Sequence, residues 1–457
     1  MSMRIPEDHK WRYLFHFTEV RNLKSIIQNG LLCTNLKNKK GIKHIDIANS
    51  NIQERRSRMR VPVGPGGRVH DYVPFYFSSI NPMLLTLLMQ KNIDQNNIIY
   101  LCLKIQRLEE EDAVFTDASA NTVSPPDFFE DTSDLDKLDW ELIDSRKWRV
   151  ETDEQKHKKM AEALIHKRVG IEEIDAIVVF NEDAKEFVET VFRACDVPSP
   201  SIIYDFDPKV KKYAFYYTKF FLKDNDRKLE TLVTGPQALL DEYEELLDSI
   251  HEKRLVPRMR PYPTISEMVK AIGRDFSVLP ELGNVVGLQQ EYGPHNDSVD
   301  DHTLTVVECM KKIPYYKESS DELKSALLLA AYLHDIGKGP KDKWDDGKMK
   351  RPYPDHPVDA IPMLERILSE EVDHLSDDEI RWVCMMVVYH DLIGECMMKD
   401  RSITQILPVI KGLDDLEMLF AISIADASAI DRQWGDNIID GKDDFIDKVS
   451  ILTGGDL

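Results

Sequence analysis

A chain of 457 residues has the length of two or three domains, each large enough to bury its own core. Hydrophobic residues make up 42% and charged residues 31%, and no apolar run reaches the ~18 residues a membrane helix needs, which argues against a membrane partner. The net charge of −22 excludes a chain that is basic throughout, but it is uneven: residues 1–220 hold 32 Lys+Arg against 34 Asp+Glu, leaving 27 against 47. The first half can thus offer a local basic groove to a polyanion, whereas the second repels long ones except where metals or local clusters intervene.

The N-terminus, MSMRIPEDHKWRY, has no apolar signal region, and six scattered cysteines form no CxxC, so reduced thiols and a cytoplasmic location are expected. Leu14–Thr18 reads as a short strand carrying His16. Asn22 to Asn29 has helical period, with Leu23, Ile26 and Ile27 on one face, Gly30 as its C-terminal cap and Leu31-Leu32 opening a strand. Residues 52–83 then combine three features. Arg55, Arg56, Arg58, Arg60 and Arg68 form a basic cluster; Pro62 to Gly67 demands a loop; Val73–Phe77 reads as a strand. Arginines beside glycines suit a pyrophosphate or a nucleic-acid backbone, because guanidinium groups grip phosphate bidentately and glycine admits backbone N–H groups close to anions. A solvated arginine face on a surface loop is the alternative.

Asn81-Pro82 opens a helix to Met89, and Asn97–Ile105, Ala113–Asp117 and Ile174–Phe180 read as buried strands. Residues 119–139 are acidic and loop-like, and Trp140 and Trp148 read as core more readily than as base-stacking platforms. Glu154–His166 reads as helix or turn leading into a strand. Taken alone, Glu162 there is a solvated residue of a charged helix. Ala184–Cys195 is an amphipathic helix and Ser201–Tyr204 a last strand.

The strings Ile52-Gln53-Glu54-Arg55-Arg56, Pro65-Gly66-Gly67, His70 through Phe77 and Ser79-x-x-Pro82-Met83 resemble the DarT family, which transfers ADP-ribose from NAD to bases of single-stranded DNA. The resemblance covers about residues 11–217. It implies a split, mostly antiparallel ADP-ribosyltransferase sheet, Glu162 and Arg56 as catalytic residues, and His16, Thr18 and Arg56 as NAD contacts. Arg55, Arg58, Arg60 and Arg68 would hold DNA. It also brings a toxin or phage-defence role and a macrodomain antitoxin as partner, although family members commonly end after the transferase domain.

Residues 222–265 change character. KDNDRK is a linker candidate, Pro236–His251 an acidic amphipathic helix and RLVPRMRPYP an irregular connection; beyond them the pattern is helical with no convincing strand. His302, His334-Asp335, His356, His390-Asp391 and Asp426 each end or interrupt an apolar helical run, so converging helices would point them into one cavity. Histidines and carboxylates without cysteine suit a divalent metal that activates water. Their order, with LLAAYLHDIGKG, resembles the HD superfamily of metal-dependent phosphohydrolases. The resemblance makes His302, His334, Asp335 and Asp426 direct ligands, places His356 and His390 on a second metal or the phosphate, and has Lys338 steer the phosphate. Buried, hydrogen-bonded histidines in a bundle are the alternative.

The expected fold is α+β: a split antiparallel sheet with helices over residues 1–220, a connection over 221–265, and an all-α HD-type bundle over 266–457. The expected function is NAD-dependent mono-ADP-ribosylation of a base in single-stranded DNA, beside a metal-dependent phosphohydrolase. Two rivals stand: an HD hydrolase with a non-catalytic nucleic-acid-binding first domain, and transfer to RNA or protein.

Overall fold

A computed structural model describes residues 5–45, 50–120, 125–145, 147–204, 233–294 and 296–455. The chain divides into two units, Met1–Met89 with Ile93–Leu232, and Gln90–Asn92 with Val233–Leu457. The linker candidate Lys223–Lys228 and the end of the resemblance near Tyr217 lie outside the described residues.

The first unit is built on one eight-stranded sheet: β1 (Tyr13–Glu19), β2 (Tyr72–Tyr76), β3 (Ile98–Lys104), β4 (Ala113–Thr116), β5 (Phe128–Phe129), β6 (Glu162–His166), β7 (Ala176–Val178) and β8 (Ser201–Ile203), in the order β8-β7-β3-β1-β2-β6-β4-β5. Every pairing is antiparallel except β8 with β7. β3 shows why both faces must be covered. Ile99, Leu101 and Leu103 pack into one core while Ile98, Tyr100 and Cys102 pack into another. That is the two-residue alternation of a strand buried on both sides. The helix α1 (Leu23–Asn29) is closed by Gly30, whose φ of 79° favours glycine at the turn into the next strand.

The sheet opens between β1 and β2. β1 pairs with β3 from Tyr13↔Lys104 to Glu19↔Ile98, but meets β2 only at Phe15↔Tyr76. Pro74 lies in β2 and has no N–H to offer a neighbouring strand. Its carbonyl is taken by the His16 ring at 2.7 Å.

The glycine-rich loop Pro62–Gly67 is held by its own backbone. Val61 N donates to Gly67 O, Val69 N donates to Met59 O and the Tyr72 hydroxyl donates to Gly66 O, so the loop is a tight turn bridged at Arg60↔Arg68. Gly64 has φ +57° and presses on Val114; a Cβ there would lie 2.6 Å from the valine Cγ1. The loop does not line the cavity described below.

The second unit is helical around one large core. Its helices include α2 (Pro236–Arg254), α3 (Val299–Met310), α4 (Asp321–Leu333), α5 (Asp377–Val388) and α6 (Leu413–Ile430). α2, read from the sequence as part of a connection, buries Leu239, Tyr243, Leu246 and Ile250 in that core. Two short strands, Gln289–Gln290 and Lys348–Met349, pair in parallel where the sequence pattern shows none. No helix among the described residues is long and apolar enough to cross a membrane.

Candidate active site and metal centre

Glu162 is not on a solvated helix. The charged helix Asp153–Lys159 stops at Met160, and Glu162 begins β6 with a side chain that is fully buried. Arg56, on the helix Ser50–Arg58, meets it bidentately, Nη1 to Oε1 and Nη2 to Oε2, both at 2.8 Å. Oε1 also accepts from Ala120 N at 2.9 Å and Ser119 Oγ at 3.3 Å. The main chain is fixed too, since Glu162 N donates to buried Thr116 Oγ1 at 3.2 Å. Burial works against the Arg56 charge, but the Glu162 carboxylate outweighs it and holds the guanidinium above its ordinary pKa. Such a forked pair fixes the carboxylate's orientation.

A cavity of about 480 Å³ opens beside this pair, lined among others by His16, Thr18, Lys37, Arg56, His70 and Ser119. That volume suits a small-molecule ligand. His16 is half-buried. Desolvation lowers its pKa to about 4, outweighing the bond to Pro74, so the ring is neutral at neutral pH. Its Nδ1–H then donates to Pro74 O, leaving Nε2 as an acceptor. Thr18 Oγ1 accepts from Asn22 Nδ2 at 3.2 Å, and Asn22 also exchanges bonds with the Ile45 backbone.

His16, Thr18 and Arg56 thus come together, and Arg56 ties Glu162 to them. Arg55, Arg58, Arg60 and Arg68 do not line the cavity and are exposed; Arg58 pairs with Glu54 and Arg68 donates to Ser57 O. Thr116, Ser119 and Asn22 carry no charge, and nothing in the residue order marks them as part of a site. Trp140 packs against Phe77 and His9, with the Arg12 guanidinium 3.6 Å from its ring centroid. That is a packed role rather than a base platform.

In the second unit the expected ligands converge. His302 on α3, His334 and Asp335 at the end of α4, His356, His390 just beyond α5 and Asp426 on α6 all bring ligand atoms together. His302, His334 and Asp335 form one group; Asp335, His356 and His390 form a second; His390, Asp391 and Asp426 form a third, the ligand atoms of each within 4.8 Å of one another. Asp335 joins the first two groups, Oδ2 lying 3.3 Å from His334 Nε2 and Oδ1 3.2 Å from His356 Nε2. Asp391 was named in the sequence pattern but not among the ligands; its carboxylate lies 3.6 Å from His390 Nε2.

The tautomers are set by the backbone. His334, His356 and His390 each place Nδ1 within 2.7–2.9 Å of a carbonyl, those of Ala331, Tyr353 and Val387. A carbonyl only accepts, so Nδ1 carries the proton and a neutral ring turns a bare Nε2 inward. The His356 and His390 Nε2 atoms are 3.0 Å apart. Two lone pairs at that distance repel unless a cation lies between them. Burial opposes charge on His334, but Asp335 and Asp426 outweigh it and raise its pKa to about 9, whereas at His356 burial wins and lowers the pKa to about 3. Lys338 Nζ reaches Asp335 Oδ2 at 2.6 Å.

Gly337 packs against the His356 backbone; a Cβ there would fall 1.9 Å from His356 O and 2.7 Å from Ala360 N. Gly337→Ala is expected to force these segments apart and destabilise the second unit by about 1–3 kcal/mol, measured by chemical denaturation.

The family model described as ssDNA thymidine ADP-ribosyltransferase, DarT, matches residues 15–207. A DNA ADP-ribosyl transferase of Thermus sp. (strain 2.9) is 35% identical over 185 residues, 39% of this chain and 87% of the relative. Solved structures of Thermus sp. 2.9 DarT in complex with ADP-ribosylated ssDNA and with NAD+ are 32% and 30% identical. Each covers 44% of this chain and 96% of its own, with TM-scores of 0.39 and 0.38. More distantly, a bifunctional uridylyltransferase/uridylyl-removing enzyme of Azospirillum brasilense is 25% identical over 200 residues, 40% of this chain and 20% of that protein.

Proposed function

Because the chain belongs, through residues 15–207, to the DarT family of ssDNA thymidine ADP-ribosyltransferases, we propose that its first unit transfers ADP-ribose from NAD+ to a thymine of single-stranded DNA. The observation that supports this most is the buried Arg56–Glu162 fork beside a cavity that also holds His16 and Thr18. Positive charge develops at the ribose carbon as nicotinamide leaves with the electron pair of the broken C–N bond. A fixed carboxylate stabilises that charge, and Glu162 also takes the proton of the thymine ring N–H as the new C–N bond forms. Neutral His16 offers Nε2 to a ribose hydroxyl, and Thr18 lies beside it on β1. Arg56 keeps Glu162 oriented through the two parallel bonds. Arg55, Arg58, Arg60 and Arg68, free of the cavity, meet DNA phosphates. The base must be unstacked before its ring nitrogen can be reached, which favours single strands.

Nicotinamide release from NAD+ tests this. Release is expected only with thymine-containing single-stranded DNA. Release driven by RNA or protein instead moves the acceptor, and NAD+ bound but left intact overturns transfer.

For the second unit we read an HD-type phosphohydrolase centre. The fit rests on the donor set: inward-facing imidazole Nε2 atoms and carboxylates suit a divalent ion. His302, His334, Asp335 and Asp426 would hold it, and His356 and His390 a second ion or the phosphate. The ion would supply an activated water. Asp335→Ala removes the carboxylate shared by two ligand groups and is expected to abolish metal uptake; unchanged metal in elemental analysis sinks the assignment. We place the transferase in residues 1–220 and the hydrolase in 266–457, and count α2, within the 221–265 connection, with the hydrolase because its apolar face completes that core.

A further inference from the structure

We propose that Gln290 and Lys338 together form a clamp for a phosphoryl oxygen at the edge of the second unit's histidine–aspartate centre. The proposal rests on the metal-phosphohydrolase reading above. Gln290 is 1% exposed, and its amide Nε2 has no hydrogen-bond partner among the described residues. The amide's orientation is not arbitrary. Lys338 Nζ lies 3.0 Å and the Tyr292 hydroxyl 2.9 Å from Oε1. An ammonium has only donors, so the oxygen must face Lys338 and the nitrogen must be the group left over. Buried amide donors are almost always paired, so a donor left over beside the histidine–aspartate centre asks for an acceptor from outside the chain.

The surroundings say which acceptor. The amide plane keeps Nε2 next to Oε1, hence next to the Lys338 ammonium. Lys338 also contacts Asp335, which joins two of the ligand groups. An ammonium and a neutral N–H side by side suit an anionic oxygen, and charge-assisted bonds of this kind are the strong ones. The mount is stiff. Gln290 N donates to Asp297 O, Gln289–Gln290 pairs with Lys348–Met349, and Val285, Leu288, Val299 and Met349 pack beneath. Ligand and centre together point to a terminal phosphoryl group, of a nucleotide or of free phosphate.

The test is isothermal titration of the full-length, Mn²⁺-loaded protein with orthophosphate and with AMP. Gln290→Glu keeps an oxygen facing Lys338 and Tyr292 but replaces the unpaired donor by an acceptor. It is expected to weaken binding at least tenfold, with metal content and thermal midpoint not lowered. Gln290→Met, which adds no charge, is expected to weaken binding as well. AMP that binds more tightly than orthophosphate and is equally sensitive to both variants extends the clamp to nucleotides. Wild-type affinity in Gln290→Glu overturns the clamp, and so does weakening by Glu but not by Met. Wild-type protein that takes up metal but neither ligand overturns the clamp alone; protein that takes up no metal overturns both it and the reading beneath it.

Discussion

Arg56→Ala is expected to cost the first unit about 3–5 kcal/mol of stability, because it leaves a buried carboxylate without its counter-ion. Glu162 is 0% and Arg56 7% exposed, and the two share two parallel bonds. Without the guanidinium, Oε1 retains only Ala120 N and Ser119 Oγ, and Oε2 loses its one partner among the described residues. Two neutral donors cannot replace a full charge beside a carboxylate that is itself fully buried. For a unit of this size each kcal/mol shifts the midpoint by about 2–4 °C, so calorimetry should show a clear drop. Arg56→Lys is expected to recover part of it, since an ammonium restores charge but not the planar fork. A loss below about 1 kcal/mol for the alanine variant would contradict the description of the pair as buried and coupled.

The second large effect is on chemistry. Glu162→Gln is expected to reduce transfer at least ~10³-fold, as loss of one charged group that both stabilises the transition state and accepts a proton. Glu162→Ala is the poorer test: alanine also strands Arg56, so a lost activity could reflect a lost fold. A paired change separates the two. Arg56→Met combined with Glu162→Leu replaces a buried ion pair by apolar groups of similar size, a change that is often neutral or stabilising. The double variant is expected to unfold close to the wild type and to show no transfer. Glu162→Gln acting within tenfold of wild type would remove Glu162 from the mechanism.

The two units differ in how much of them could be read from residue order. The histidine–aspartate centre was legible because its histidines and aspartates end or interrupt apolar helical runs, and such runs converge when they pack. Asp391 and Gln290 were not given roles: one follows a histidine already counted, the other sits in a polar segment without periodicity. In the first unit β3 was legible from its apolar run, and so were the helix caps at Gly30 and Asn81-Pro82. Glu162 was not legible from local pattern. Lys156-His157-Lys158-Lys159 extends a charged helix toward it, and only the turn at Met160 and Ala161 moves it into a buried strand. The glycine run permits close approach to an anion, but that it also makes a tight turn against Val114 could not be read from residue order. Arg56 looks like its neighbours in sequence, and helical geometry alone separates its buried position from exposed Arg55 and Arg58.

The most direct measurement is mass spectrometry of short single-stranded oligonucleotides, each containing one type of base, after incubation with the protein and NAD+. A mass gain of one ADP-ribose on the thymine strand, located to the base by fragmentation and absent with Glu162→Gln, is the predicted result. No adduct on any oligonucleotide, with NAD+ left intact, would contradict the account of the first unit and leave the histidine–aspartate centre as the place to look for activity.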